Sequence, residues 1–181
     1  MRTLLAAAAI LGLGASVDQA RAALVGYELS YSATNFSSIG PAPIDPAQGV
    51  FRIVFDDATG AFDETAGITL VSGNLPLASA LGFTYFAPGG PLIIGGIADS
   101  VLGVLAGTDD FSLLIDGLGT ATPSASNLNY ATSTTGEVFV SNAISLTVTP
   151  LAVAVPEPAS LLLAGAGLCG MGLARRRRRA R

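Results

Sequence analysis

The chain has 181 residues, half of them apolar and only 12% charged, which sets aside wholesale disorder and leaves room for one core. Its net charge of −4 hides a division: residues 23–155 carry 11 acidic side chains against a single Arg52, while the other eight arginines lie near the two ends. A middle so acidic repels phosphate backbones and anionic lipid, so nucleic acid is not expected as a partner.

Residues 1–22, MRTLLAAAAILGLGASVDQARA, read as a secretory signal peptide. Arg2 supplies the positive start, and Leu4 to Ala15 is an apolar run of about twelve residues, too short to span a bilayer. Ala20-Arg21-Ala22 is the small-residue site that signal peptidase reads, with Ala20 and Ala22 as its determinants. An amphipathic helix would need a polar face, and Leu4–Gly14 has none. The mature chain is expected to start near Ala23.

The body, residues 23–150, shows alternation of period two. LVGYELSYSA opens it as a strand. In GVFRIVFDD, Phe51, Ile53 and Phe55 share one face, and Val50, Arg52 and Val54 the other. The turn Asp56-Asp57-Ala58-Thr59-Gly60 then predicts a hairpin whose second strand resumes near Phe62 and runs toward Leu70. AGITLVSG, LGFTYFAP (Leu81, Phe83 and Tyr85 together), PLIIGGI and DFSLLIDG follow as further strands, separated by Gly-, Pro- and Asp-rich turns. GTATPSASNLNYATSTTG, from Gly119 to Gly136, is small and polar and reads as a long surface loop. NAISLTVTP closes the body, with Ile144, Leu146 and Val148 on one face. No long segment keeps a helical period. The fold class is therefore all-β, an antiparallel β-sandwich, with jelly-roll and immunoglobulin-like strand orders both open.

Catalytic resources are few. The chain contains no His and no Lys, and its one Cys, Cys169, lies in the C-terminal apolar run. Nucleophiles paired with His or Lys are thereby excluded, and a zinc site is not expected. Carboxylates remain, but no spacing singles out the pair a glycosidase needs. Asp56, Asp57, Asp63 and Glu64 flank one turn and Asp109 and Asp110 another; hard oxygen ligands suit calcium, yet no EF-hand pattern is present and solvated turns are the simpler reading. The expectation is a protein that is not an enzyme, with no catalytic residues, no metal and no cofactor.

The chain ends in VPEPASLLLAGAGLCGMGLARRRRRAR. Pro156 and Pro158 flank Glu157 and force an extended linker, placed at residues 151–158. Ala159–Ala174 carries no charge and predicts a short transmembrane helix of about 24 Å, near the lower limit for a span. Arg175, Arg176, Arg177, Arg178 and Arg179 then act as a stop-transfer block that keeps this end cytoplasmic. The G-x-G-x-x-G at Gly165–Gly170 lies inside the apolar run, without the strand and helix a dinucleotide site requires.

The ordered triad of Pro-Glu-Pro, short apolar run and terminal arginines, about 26 residues, resembles the PEP-CTERM sorting signal. The resemblance implies a Gram-negative, exopolysaccharide-producing bacterium and processing by exosortase near Pro156, Glu157 and Pro158. The implied partners are exosortase, signal peptidase, the inner membrane before processing, and exopolysaccharide. The bodies that carry this signal vary widely, so it supplies an address and not an activity. The expected function is that of a secreted structural or adhesive protein of the cell surface or exopolysaccharide matrix, relevant to biofilm. The alternatives are a carbohydrate-binding module and, further off, a carboxylate glycosidase.

Overall fold

Alternation of apolar and polar residues gives a strand one face for the core and one for water, and the segment around Phe51 shows it plainly. In the computed structural model, Phe51, Ile53 and Phe55 are buried, Arg52 is exposed, and Val50 and Val54 are half-buried. The structure describes residues 24–153. The signal-cleavage residues Ala20 and Ala22, the motif Pro156, Glu157 and Pro158, the apolar segment read as a transmembrane helix, and Arg175–Arg179 lie outside the described residues.

Ten strands form among the described residues: β1 (Leu24–Thr34), β2 (Ala47–Asp56), β3 (Ala61–Glu64), β4 (Ile68–Gly73), β5 (Leu81–Tyr85), β6 (Leu92–Gly96), β7 (Asp110–Asp116), β8 (Ser124–Ala131), β9 (Val138–Ser141) and β10 (Ala143–Leu151). They make two sheets, in the orders β10-β1-β2-β4 and β3-β5-β6-β7-β8-β9, and every pairing is antiparallel. No helix occurs among the described residues. β10 runs one residue past the boundary placed at 150.

The inner faces of both sheets meet in one core. Leu29, Phe51, Ile53 and Phe55 come from the smaller sheet, and Phe83, Ile94, Phe111, Leu113, Ile115 and Leu128 from the larger. Rings bridge the two layers: Phe51 lies 5.9 Å from Phe111, and Phe55 lies 5.9 Å from Phe83 and 4.6 Å from Tyr85.

Three expectations need correction. β2 and β3 are not a hairpin. β3 pairs with β5 in the larger sheet, while β2 takes β4 as its neighbour, so the turn after Asp56 carries the chain across from one layer to the other. The crossing is held where the Asp63 amide donates to the Thr84 hydroxyl at 3.0 Å.

The segment 119–136 is not one loop, because β8 lies in it and pairs with β7 and β9. A bulge between Leu114 and Ile115 of the β7 ladder leaves Ser126 unpaired, so the buried residues fall at Ala125, Leu128 and Tyr130 instead of every second position. That shift hides the strand from a period-two reading.

The strand order also departs from the immunoglobulin-like and jelly-roll alternatives. β5 to β9 form a plain meander of consecutive neighbours in one sheet, without the interleaving or Greek keys of those folds.

Tyr130 fastens the long β1–β2 connection. Its hydroxyl donates to the Ile44 carbonyl at 3.0 Å and accepts from the Ile44 amide at 3.1 Å, and its ring meets Phe36 edge-on and stacks on Phe139.

Phe51 is fully buried between Tyr31 and Phe111. Phe51→Ala should therefore cost about 3–5 kcal/mol of folding stability, the range for emptying a buried ring site. Urea unfolding of the two proteins checks this, and a loss below about 1 kcal/mol would show that the stack does not hold the layers together.

Candidate functional site

The outward face of the four-stranded sheet is built from the residues that alternate with its core positions. Register places Ser145, Ser32 and Gln48 side by side across β10, β1 and β2. The next rung is Thr147, Ser30, Val50 and Ser72, and the one beyond is Thr149, Glu28, Arg52 and Thr69. A shallow groove of about 430 Å³ crosses the first two rungs, lined by these hydroxyls, Gln48 and Asn74, with no charged side chain.

Short bonds order the groove floor. Gln48 Nε2 donates to Ser32 Oγ at 3.2 Å. Asn74 closes one end, accepting from the Gln48 amide at 2.7 Å and donating to the Pro46 carbonyl at 2.9 Å. Gly49 must be glycine, since a Cβ there would come within 2.6 Å of the Tyr31 ring that packs across it. Beside the groove, Arg52 Nε meets Glu28 Oε2 at 2.8 Å, an exposed pair worth little in stability.

Such a surface can offer many hydrogen bonds to a neutral polar polymer, and it carries no nucleophile activated by a base. Tyr31, the one aromatic residue at its edge, is 4% exposed and stacks inward on Phe51, so the groove has no exposed ring for a sugar to lie on.

The acidic residues named from the sequence are spread out. Asp56 accepts from the Ala58 amide at 2.9 Å, and Glu64 Oε1 accepts from the Thr65 and Ala66 amides, so both cap their own turns. Asp63 Oδ1 accepts from Ser100 Oγ and from the Val101 amide, each at 3.0 Å. Asp109 takes the Ser133 amide at 2.7 Å and the Ser133 hydroxyl at 3.0 Å. Among the described residues, no three acidic, His or Cys side chains gather as a metal cage.

Asp110 is different. It is 1% exposed, and its Oδ1 accepts from the Phe111 amide at 2.8 Å, with the Gly96 amide also lying against the carboxyl. Its Oδ2 is buried and without a hydrogen-bond partner. Burial, reinforced by the neighbouring Asp99 carboxylate, pushes the Asp110 carboxyl up from 3.8 to about 6, against the pull of the two amides.

Asp99 is held there by the β6–β7 connection. Ser100 has a φ of 82°, in the left-handed region that a serine rarely adopts. The clip from Asp63 holds this turn, and Ser112 Oγ donates to the Val101 carbonyl at 2.7 Å behind it. The sequence offered Asp110 among the turn carboxylates that could hold calcium, and Asp99 carried no such signal. The available signal was Gly95-Gly96 inside a strand, which marks a close approach; a Cβ on Gly96 would sit 2.1 Å from Asp110 Oδ1.

These observations define the class: an all-β protein of two antiparallel sheets, with a neutral polar outer face on one of them. Residues 154–179, directly after the described body, match the family model of the PEP-CTERM protein-sorting motif. The chain thus carries the motif that the Pro-Glu-Pro triad resembled, and the motif implies an exported protein recognised and processed by exosortase at the membrane. No curated protein and no solved structure matches the chain.

The raised Asp110 carboxyl makes stability depend on pH. An unfolded Asp110 ionises near 3.8 while the folded one resists until about 6, so this group's contribution is full below about 4 and is lost as pH rises to 6. In metal-free buffer stability should fall across that window by an amount on the order of 3 kcal/mol, read as a lower melting temperature. Asp110→Asn, whose amide can donate toward Asp99, should remove that fall and melt higher than the native protein at pH 7.5. Parallel pH curves for the two proteins would show that Asp110 titrates normally.

Proposed function

We propose that the body is a non-catalytic β-sandwich that serves as a structural or adhesive protein of the cell surface or exopolysaccharide matrix. On this reading it is exported, held briefly at the inner membrane by residues 159–181, and released by exosortase. The observation that carries the adhesive part is the uncharged groove of serine, threonine and amide side chains across the outer face of the β10-β1-β2-β4 sheet. Hydroxyl-rich polymers exchange hydrogen bonds with such a face. Anionic ones are disfavoured by a body with a single basic side chain, itself paired with Glu28.

The same groove supports a second reading, a carbohydrate-binding module. The two differ in what they hold: a module binds a defined oligosaccharide, whereas an adhesive surface needs the polymer. A glycan array read beside co-sedimentation with neutral and acidic polysaccharides separates them. The glycosidase reading is disfavoured, since among the described residues the one carboxyl with an acid's raised pKa is buried and lies outside the groove.

Gln48→Leu and Ser72→Leu should each weaken adhesion to a neutral polysaccharide by roughly threefold to tenfold, the worth of one net hydrogen bond. Unchanged co-sedimentation by both variants would take the groove out of the account. Processing has its own readout. Intact mass of the protein released from cells should lack residues 1–22 and most residues after Pro158, and recovery of an extracellular species retaining Arg175–Arg181 would overturn the exosortase step.

A further inference from the structure

One oxygen of the Asp110 carboxyl is buried without a hydrogen-bond partner, and a second carboxylate, Asp99, lies beside this carboxyl. Oδ1 accepts from the Phe111 amide, but Oδ2 has no partner. Among the described residues, no basic side chain relieves the pair. Arg52, the one basic residue within 23–155, is engaged with Glu28 on the other sheet. The remaining nearby acids are committed elsewhere, Asp63 to Ser100 and Val101, and Asp109 to Ser133.

A third oxygen adjoins the pair. Ser79 Oγ lies 2.7 Å from the point where a Gly96 Cβ would stand, the same point that lies 2.1 Å from Asp110 Oδ1. The Ser79 hydroxyl accepts from the Ile97 amide at 3.1 Å and donates to the Ala80 carbonyl at 3.3 Å, leaving a lone pair free. Three chain segments therefore bring oxygen atoms to the Asp110 carboxyl: the connection before β5 (Ser79), the turn after β6 (Asp99) and the start of β7, with Leu77 Cδ1 bounding the place 2.9 Å from the same Gly96 point. Asp99 is exposed, so the place opens to solvent on that side.

We infer that the Asp110 carboxyl, the Asp99 carboxylate and Ser79 Oγ form a calcium-binding site, which neutralises the buried carboxylate and fastens the β6–β7 connection to the larger sheet. Calcium fits this set better than magnesium. It accepts irregular oxygen ligands and sheds water readily, whereas magnesium demands near-ideal octahedral geometry and dehydrates reluctantly, which disfavours its direct contact with a buried carboxyl. So few protein ligands place the site with the weak, extracellular class, with a Kd of about 10⁻⁴–10⁻³ M. The inference is independent of the groove, which lies on the other sheet.

The test uses the full-length chain in mild detergent, stripped with a chelator and melted at pH 7.5 by tyrosine fluorescence. CaCl₂, MgCl₂ and NaCl are compared at matched ionic strength. With calcium at about 10 mM, the melting temperature should rise by about 3–10 °C beyond the magnesium value. Asp99→Asn, on the exposed side of the site, should abolish that difference, and Asp110→Asn should do the same. Asp57→Asn, in the β2–β3 turn, should retain it. Equilibrium dialysis should find one calcium per chain in the native protein and none in Asp99→Asn. Equal shifts for the three salts would overturn the inference, leaving the pair to share a proton only, and a calcium shift that survives in Asp99→Asn would overturn it as well.

Discussion

The contact on which the rest of this structure depends is the ring stack through Phe51. Tyr31 lies parallel to it within its own sheet, at 5.7 Å and 8°, and Phe111 meets it from the opposite sheet at 5.9 Å and 21°. Among the described residues there is no cysteine and no helix, so neither a disulfide nor a covering layer ties the sheets together. Aromatic side chains bury about 150–250 Å² each and prefer offset contact, so a few of them set both the energy and the spacing of two layers. Phe55, against Phe83 and Tyr85, repeats the device two rungs along.

Once the inner faces are committed to that core, the outer faces are free to differ. The smaller sheet spends its outward positions on hydroxyls and amides, and the regular register of β10, β1 and β2 turns them into rows. Tyr31 links the two sides of the sheet. Its inward ring needs the space left by Gly49, and Gly49 in turn lies beneath the groove. The larger sheet is less regular, with shifts in the β3–β5 and β7–β8 ladders, and it holds the buried carboxyl.

Much of this was legible from residue order alone. β1, β2, β4, β5, β6, β7 and β10 announce themselves by alternation, and the two-sheet all-β class follows from them. β8 did not, because Ser126 breaks its period and its neighbours are small and polar; yet it delivers Tyr130, among the largest fully buried side chains. The β2–β3 hairpin was misread because a turn sequence says where a chain reverses and not which sheet it enters next. Asp56–Gly60 suits a return to β2, but β4 occupies that edge. The carboxyl pair was invisible for a similar reason. Asp99 and Asp110 meet only because Asp63, far back in the chain, pulls the β6–β7 turn down through Ser100 and Val101. The tail was the most legible part of all, since a sorting signal is read by another protein as linear sequence and needs no long-range partner to have meaning.

The placement of charge makes a physical case for keeping the two sheets' tasks apart. A body with one basic side chain repels itself, and it can lower that cost only by screening, by protonation or by a bound cation. A basic residue within the groove of the smaller sheet would also serve, but it would place a charge where the groove now has none. Meeting the cost at Asp99 and Asp110, on the larger sheet, leaves the neutral face unchanged. On the proposed reading, stability then responds to the surrounding ions and pH, while the groove face does not.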